Sequence, residues 1–179
     1  RRHTRFRNVT GVQTCALPIC TISSILAAEH AFKAFGKGKF SDIDGILVEA
    51  YSHAAVAKTT PEHRNPINRE TADHSIPYVV AVAMMDGEVG PRQFDDDRLW
   101  NKDIRALLPR IEVVPDDEMT AAYNRWPVEH RTRVTVRLKN GEKVVGESGG
   151  DKGDLSNPRS DQEIETKFHR SEEHTSELQ

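Results

Sequence analysis

Asn68-Arg69-Glu70-Thr71-Ala72-Asp73-His74-Ser75-Ile76-Pro77-Tyr78-Val79-Val80-Ala81-Val82-Ala83-Met84-Met85-Asp86-Gly87 is the stretch on which the fold turns. It holds the longest apolar run of the chain, entered through a cluster of polar groups that a plain core helix does not need. Ile76, Val79, Val80 and Ala83 recur at helical spacing and predict one buried stripe. Glu70, His74 and Tyr78 fall four apart and would share a neighbouring stripe if the helix began early. Pro77 favours a later start, because proline is tolerated in a first turn, where its missing N–H had no partner. Ser75 is then the N-cap, Glu70 to His74 an irregular lead-in, and Gly87 the stop. On that reading a His74-Ser75 pair stands at a helix N-terminus, where unpaired N–H groups and the helix dipole favour a bound carboxylate. The competing reading makes His74 an ordinary capping or core histidine.

Arg-Glu-Thr-Ala-Asp-His-Ser-Ile-Pro-Tyr-Val-Val-Ala at 69 to 81, followed by Met-Met-Asp-Gly at 84 to 87, resembles the signature of the MmgE/PrpD family. Gly-Asp-Leu-Ser-Asn-Pro-Arg-Ser-Asp-Gln-Glu-Ile-Glu-Thr-Lys-Phe at 153 to 168 is similar to the segment by which members of that family return from a smaller domain to a helical one. The resemblance covers residues 21 to 168. It implies 2-methylcitrate dehydratase, cis-aconitate decarboxylase or iminodisuccinate epimerase chemistry, a small di- or tricarboxylate substrate, no metal and no other cofactor. It also implies a cytoplasmic homodimer for the full-length protein, and since the family's proteins are longer than this chain, a fragment here.

Composition narrows the classes. Of the 179 residues 36% are hydrophobic and 30% charged, a rather polar chain long enough to bury a core. A formal charge of -3 offers no electrostatic reason to expect nucleic acid or an anionic membrane as partner. No apolar run approaches the roughly eighteen residues of a membrane span.

The two ends read differently from the rest. No acidic residue occurs from Arg1 to Ala28, and Arg1, Arg2, Arg5 and Arg7 crowd the start in the manner of a transit peptide. Residues 9 to 20 resemble a translated sequencing adapter, and residues 170 to 179 resemble another. Segments 1–20 and 169–179 are therefore expected to be artefactual or disordered, flanking a domain at 21–168. Cys15 and Cys20 both fall in the first of them, without the further ligands that a zinc site needs. The remainder is free of cysteine, which suits a reducing compartment such as the cytoplasm.

Between these ends, Ile22, Ile25, Leu26, Ala28 and Phe32 predict a helix from Thr21. Ile46, Val48 and Ala50 predict a strand, with Tyr51 to Ala55 open between strand and turn. Pro61 and Pro66 mark a loop in which Lys58 and Arg64, with Arg69 after it, are placed to clamp a polycarboxylate; His53 could approach the same site as His74, or stand on the surface. Asp95, Asp96 and Asp97 read as a helix N-terminus rather than a metal site. A helix through Leu99 to Leu108, a strand at Ile111 to Val114 and a helix at Asp116 to Tyr123 follow. Val134, Val136 and Leu138 alternate toward Asn140-Gly141, predicting a hairpin with a two-residue turn that sets Lys139 against Glu142. A last helix runs from Asp161 to Phe168, capped by Ser160 and Glu163.

This order predicts an α+β domain with a mainly antiparallel sheet backed by helices. Two functions compete. The first is a piece of a hydro-lyase that removes water from a 2-methylcitrate-like tricarboxylate, a reaction needing a base, an acid and groups that hold carboxylates. The resemblance then assigns proton transfer to His74 and substrate orientation to Ser75, Tyr78 and Arg69. The second is a non-catalytic domain that binds carboxylates or assembles with partners.

Overall fold

Alternation of apolar and polar residues builds a sheet whose inner face is aliphatic. The computed structural model describes residues 19–36, 38–150 and 157–166; most of the flanking segments 1–20 and 169–179, together with Phe168, lies outside them. Strands β1 (Ile43–Ala50), β2 (Ile111–Pro115), β3 (Thr132–Leu138) and β4 (Lys143–Ser148) form a four-stranded sheet in the order β2-β1-β3-β4. β1 runs antiparallel to β3 and β3 antiparallel to β4, while β1 and β2 are parallel. The sheet is therefore mixed, with two antiparallel pairings and one parallel, as an α+β domain. Ile46, Val48, Ile111, Val113, Val134 and Val136 are buried on the inner face. The outer face carries Arg133 between its cross-strand neighbours Glu49, 3.5 Å away, and Glu147.

Helix α1 (Ile19–Phe35) begins two residues ahead of Thr21 and lies across β4 and β3. The segment after β1, open between strand and turn, folds as α2 (Ser52–Ala57), and the loop with two prolines contains α3 (Pro61–Arg64). The expected irregular lead-in is instead a short helix, α4 (Arg69–Asp73). Asn68 caps it by accepting from Thr71 N at 2.9 Å, a local signal that makes the segment helical before the motif's own helix starts. The central helix α5 (Ile76–Asp86) then begins where Pro77 predicts and ends at Gly87, whose φ is 80°. The short helices α6 (Asp96–Leu99) and α7 (Lys102–Leu107) lead into β2, and α8 (Asp117–Asn124) follows it. Among the described residues no helix is long and apolar enough to cross a membrane.

Two further expectations need correction. Every residue of α5 from Ile76 to Met84 is buried, so the helix has no single buried stripe. It is enclosed by α1 on one side and by α3, α4, α7 and β2 around the rest, the environment of a helix that is apolar all round. The hairpin turn is also different. Only Gly141 has positive φ, at 89°, and Leu138 N donates to Glu142 O at 2.9 Å while Gly141 N donates to Leu138 O at 2.9 Å. Three residues, Lys139 to Gly141, thus connect the strands, and Lys139 does not face Glu142. Asn140 holds Glu142 instead, accepting from its N at 3.0 Å and donating to its carboxylate at 2.9 Å.

Candidate functional site at the joint between two helices

His74 and Ser75 interrupt two helices that would otherwise be continuous. Ser75 is buried and its hydroxyl is used twice: it accepts from Tyr78 N at 3.0 Å and donates to the carbonyl of His63. One residue thereby caps α5 and ties α3 to it. The expected unpaired N–H groups are not there. Ile76 N donates to Lys58 O at 3.4 Å, Pro77 has none, Tyr78 N is capped and Val79 N donates to Ser75 O at 3.0 Å. With its first turn satisfied, this helix end leaves the binding of an anion to side chains.

His74 itself is half-buried, with 37% of its side chain exposed. Its Nδ1 meets the carbonyl of Glu70 at 3.1 Å and the carboxylate of Asp73. A carbonyl only accepts, so Nδ1 carries the proton, and in the neutral ring the lone pair sits on Nε2. This is the tautomer a proton acceptor needs, with a carboxylate to stabilise the imidazolium that forms.

Tyr78 is fully buried, its hydroxyl donating to Gln93 O at 2.6 Å and its ring 5.9 Å from that of Phe94. Burial pushes its phenol well above the ordinary range, so it stays protonated and acts as a donor. Tyr78→Phe should cost about 1–2 kcal/mol by leaving the Gln93 carbonyl unpaired, measured by urea unfolding. Arg69 is engaged by the 91–95 segment, donating to Pro91 O at 3.1 Å and lying 3.8 Å from Asp95. Of the two further cations expected as clamps, Arg64 folds back on Thr59 O at 2.9 Å, while Lys58 acts electrostatically on His63. His53 is exposed on α2 and lines a separate cleft with Val56, Thr120 and Tyr123. The structure thus gathers Ser75 and His74 with Lys58, and sets Arg69 and Tyr78 against the 91–95 segment.

Sequence reasoning missed His63 and Asp73. The His63 and His74 rings are 6.5 Å apart between centroids and tilted by 42°. His63 Nδ1 hydrogen-bonds the hydroxyl of Thr60 at 2.7 Å. Burial, then Lys58 and His74, lower its pKa below the usual 6.5. A histidine depressed in the fold adds stability that is complete above its unfolded value of 6.5 and is lost as pH falls from there through its lower folded value. Thermal unfolding should accordingly show a decline in stability on mild acidification that His63→Gln flattens. Pro66 and a break between two helices separate the two histidines, so no single helix or strand carries both and no period in the sequence linked them; Asp73 was legible only as the neighbour of His74. Among the described residues no group of three or more His, Cys, Asp or Glu side chains is placed to hold a metal ion.

A mixed sheet backed by helices, with a buried central helix opening on an Asp73-His74 pair, defines an α+β domain whose polar chemistry is gathered at a helix joint. The chain belongs to the MmgE/PrpD family: the model of the MmgE/PrpD C-terminal domain matches residues 17–177. It is 28% identical over 163 residues to an alkylcitrate dehydratase from a fungal species, covering 85% of this chain and 31% of that protein. It is 25% identical over 103 residues to cis-aconitate decarboxylase from Homo sapiens, covering 58% of this chain and 21% of that protein. The chain therefore spans about a third or less of the length of these curated relatives.

Proposed function

We propose that this domain is part of a hydro-lyase of the 2-methylcitrate dehydratase type, with His74 as its proton-transfer residue. The observation that carries the reading is the pair of acceptors on His74 Nδ1, which leaves Nε2 as the base on a half-exposed ring. The relative named an alkylcitrate dehydratase supports the same class. In the proposed reaction Nε2 takes the proton alpha to a carboxylate, the electron pair left on carbon forms the double bond, and the hydroxide departs as water with a proton from an acid. Ser75 and Tyr78 act as positioning residues, since their hydroxyls hold His63, α5 and the 91–95 segment. Arg69 meets the substrate from the edge where it now contacts Asp95. The full-length protein is proposed to work as a cytoplasmic homodimer without metal or other cofactor, the remaining groups coming from the helical domain that the family resemblance implies.

Decarboxylation is the second reading, favoured by the likeness to cis-aconitate decarboxylase, and it would use the same carbanion-like centre. The deciding experiment supplies 2-methylcitrate and cis-aconitate separately to the full-length protein that carries this domain. Alkene formation from the first supports the dehydratase; carbon dioxide from the second alone supports the decarboxylase. Neither product would leave a carboxylate-binding or assembly domain.

A further inference from the structure

The first turn of α5 has no N–H to spare, so a carboxylate at this joint must be met by side chains. Two imidazoles converge there from separate elements, His63 on α3 and His74 after α4, and Lys58 after α2 acts electrostatically on His63. We propose that His63, which lies outside the family motif, is a substrate-binding residue beside the His74 base, and that His63 takes up a proton as it binds one carboxylate of the substrate. This rests on the reading that the joint faces a carboxylate substrate, and adds to it a second imidazole and a dependence of binding on pH.

The hydrogen bonds make such an uptake possible. His74 Nδ1 faces only acceptors, so the lone pair of its neutral ring is on Nε2. The partner of His63 Nδ1 is the Thr60 hydroxyl, which donates to a neutral ring and accepts from a charged one, so His63 changes charge without losing its partner. The carbonyl of His63 is held by buried Ser75, which fixes α3 against the joint and keeps the two rings together.

The charges around His63 oppose a positive charge on its ring. Lys58 and His74 disfavour its protonation, Glu62 on its own helix and Asp73 on α4 favour it, and burial adds to the first pair. A carboxylate placed against His63 reverses that balance, because its imidazolium then faces an anion. Binding and protonation are thereby linked: the ligand raises the proton affinity of His63, and acid strengthens the ligand.

The test uses this chain and trans-aconitate, a tricarboxylate that stays ionised through the neutral range. Imidazole Cε1 resonances of His63 and His74 are followed with pH, with and without the probe, and calorimetry in buffers of different ionisation heat counts protons. The expected result is movement of both resonances, an upward shift in the pKa of His63 and net proton uptake. Affinity should rise as pH falls, by up to about tenfold per pH unit. His63→Asn, which keeps a partner for Thr60, and His63→Gln should abolish the uptake and flatten that pH dependence. Failure of trans-aconitate to bind, a His63 resonance unmoved by it, or uptake that persists in both variants would overturn the proposal. Turnover by the full-length protein reports separately on the proposed reaction, so loss of the lyase reading and loss of this binding mode give different results.

Discussion

On the proposed reaction, dehydration of 2-methylcitrate by the full-length protein should slow by about 10²- to 10⁴-fold when His74 is replaced by alanine, the range for removal of a positioned acid or base. The loss should fall on kcat, with a smaller change in KM, because the group acts on a proton in flight while the carboxylates are held by other groups. Stability should change by less than about 1 kcal/mol, since the side chain is 37% exposed and its carboxylate partner 24% exposed, so neither loses a partner in a fully buried setting. Asp73→Asn provides the control. An asparagine oxygen still accepts from Nδ1 and keeps the tautomer, but the neutral group no longer stabilises the imidazolium, so turnover should fall less than with alanine at His74. Steady-state kinetics with unchanged kcat in His74→Ala would remove the imidazole from the reaction.

Gly146→Val should produce the largest loss of stability, about 3–4 kcal/mol, at the top of the range for overpacking. A Cβ at this position of β4 would stand 2.1 Å from the carbonyl oxygen of Ala27 and 2.2 Å from Ala31 N. Both are backbone atoms of α1, so no side chain can swing aside, and the helix would have to lift from the strand. Lifting it exposes Ala27, Ala28 and Ala31, all fully buried, and strains the bonds from Ser148 Oγ to Ser23 O at 2.8 Å and between Ser23 and Thr132 at 2.9 Å. For a chain of this size the melting temperature should drop by roughly 10 °C. Circular dichroism on heating measures it. A valine variant within about 1 kcal/mol of the original would mean that α1 does not dock on β4 as described.

Signals that act within about four residues were legible in the chain itself. Pro77 and Ser75 set where the central helix begins, Gly87 where it ends, and the alternation at Val134 to Leu138 marked the hairpin strand, because capping and side-chain period depend on neighbours in sequence. The same locality explains the errors. Asn140-Gly141 fits more than one turn, and the pairing of β3 with β4 selected the three-residue version. An all-apolar run satisfies every helical period, so burial around the whole of α5 was decided by what surrounds it.

What the sequence alone determined is the family, the α+β class, and the presence of a histidine and a capping serine at the start of the central helix. Tertiary structure decided what those groups face. Packing of α3 against α5 brings His63 beside His74 across eleven residues, turns the Ser75 hydroxyl inward to a carbonyl, and gives the amides of the first turn to Lys58 and Ser75. A side chain's chemistry follows from its covalent structure, but its protonation and its hydrogen-bond partners depend on atoms that come near only when the chain has folded.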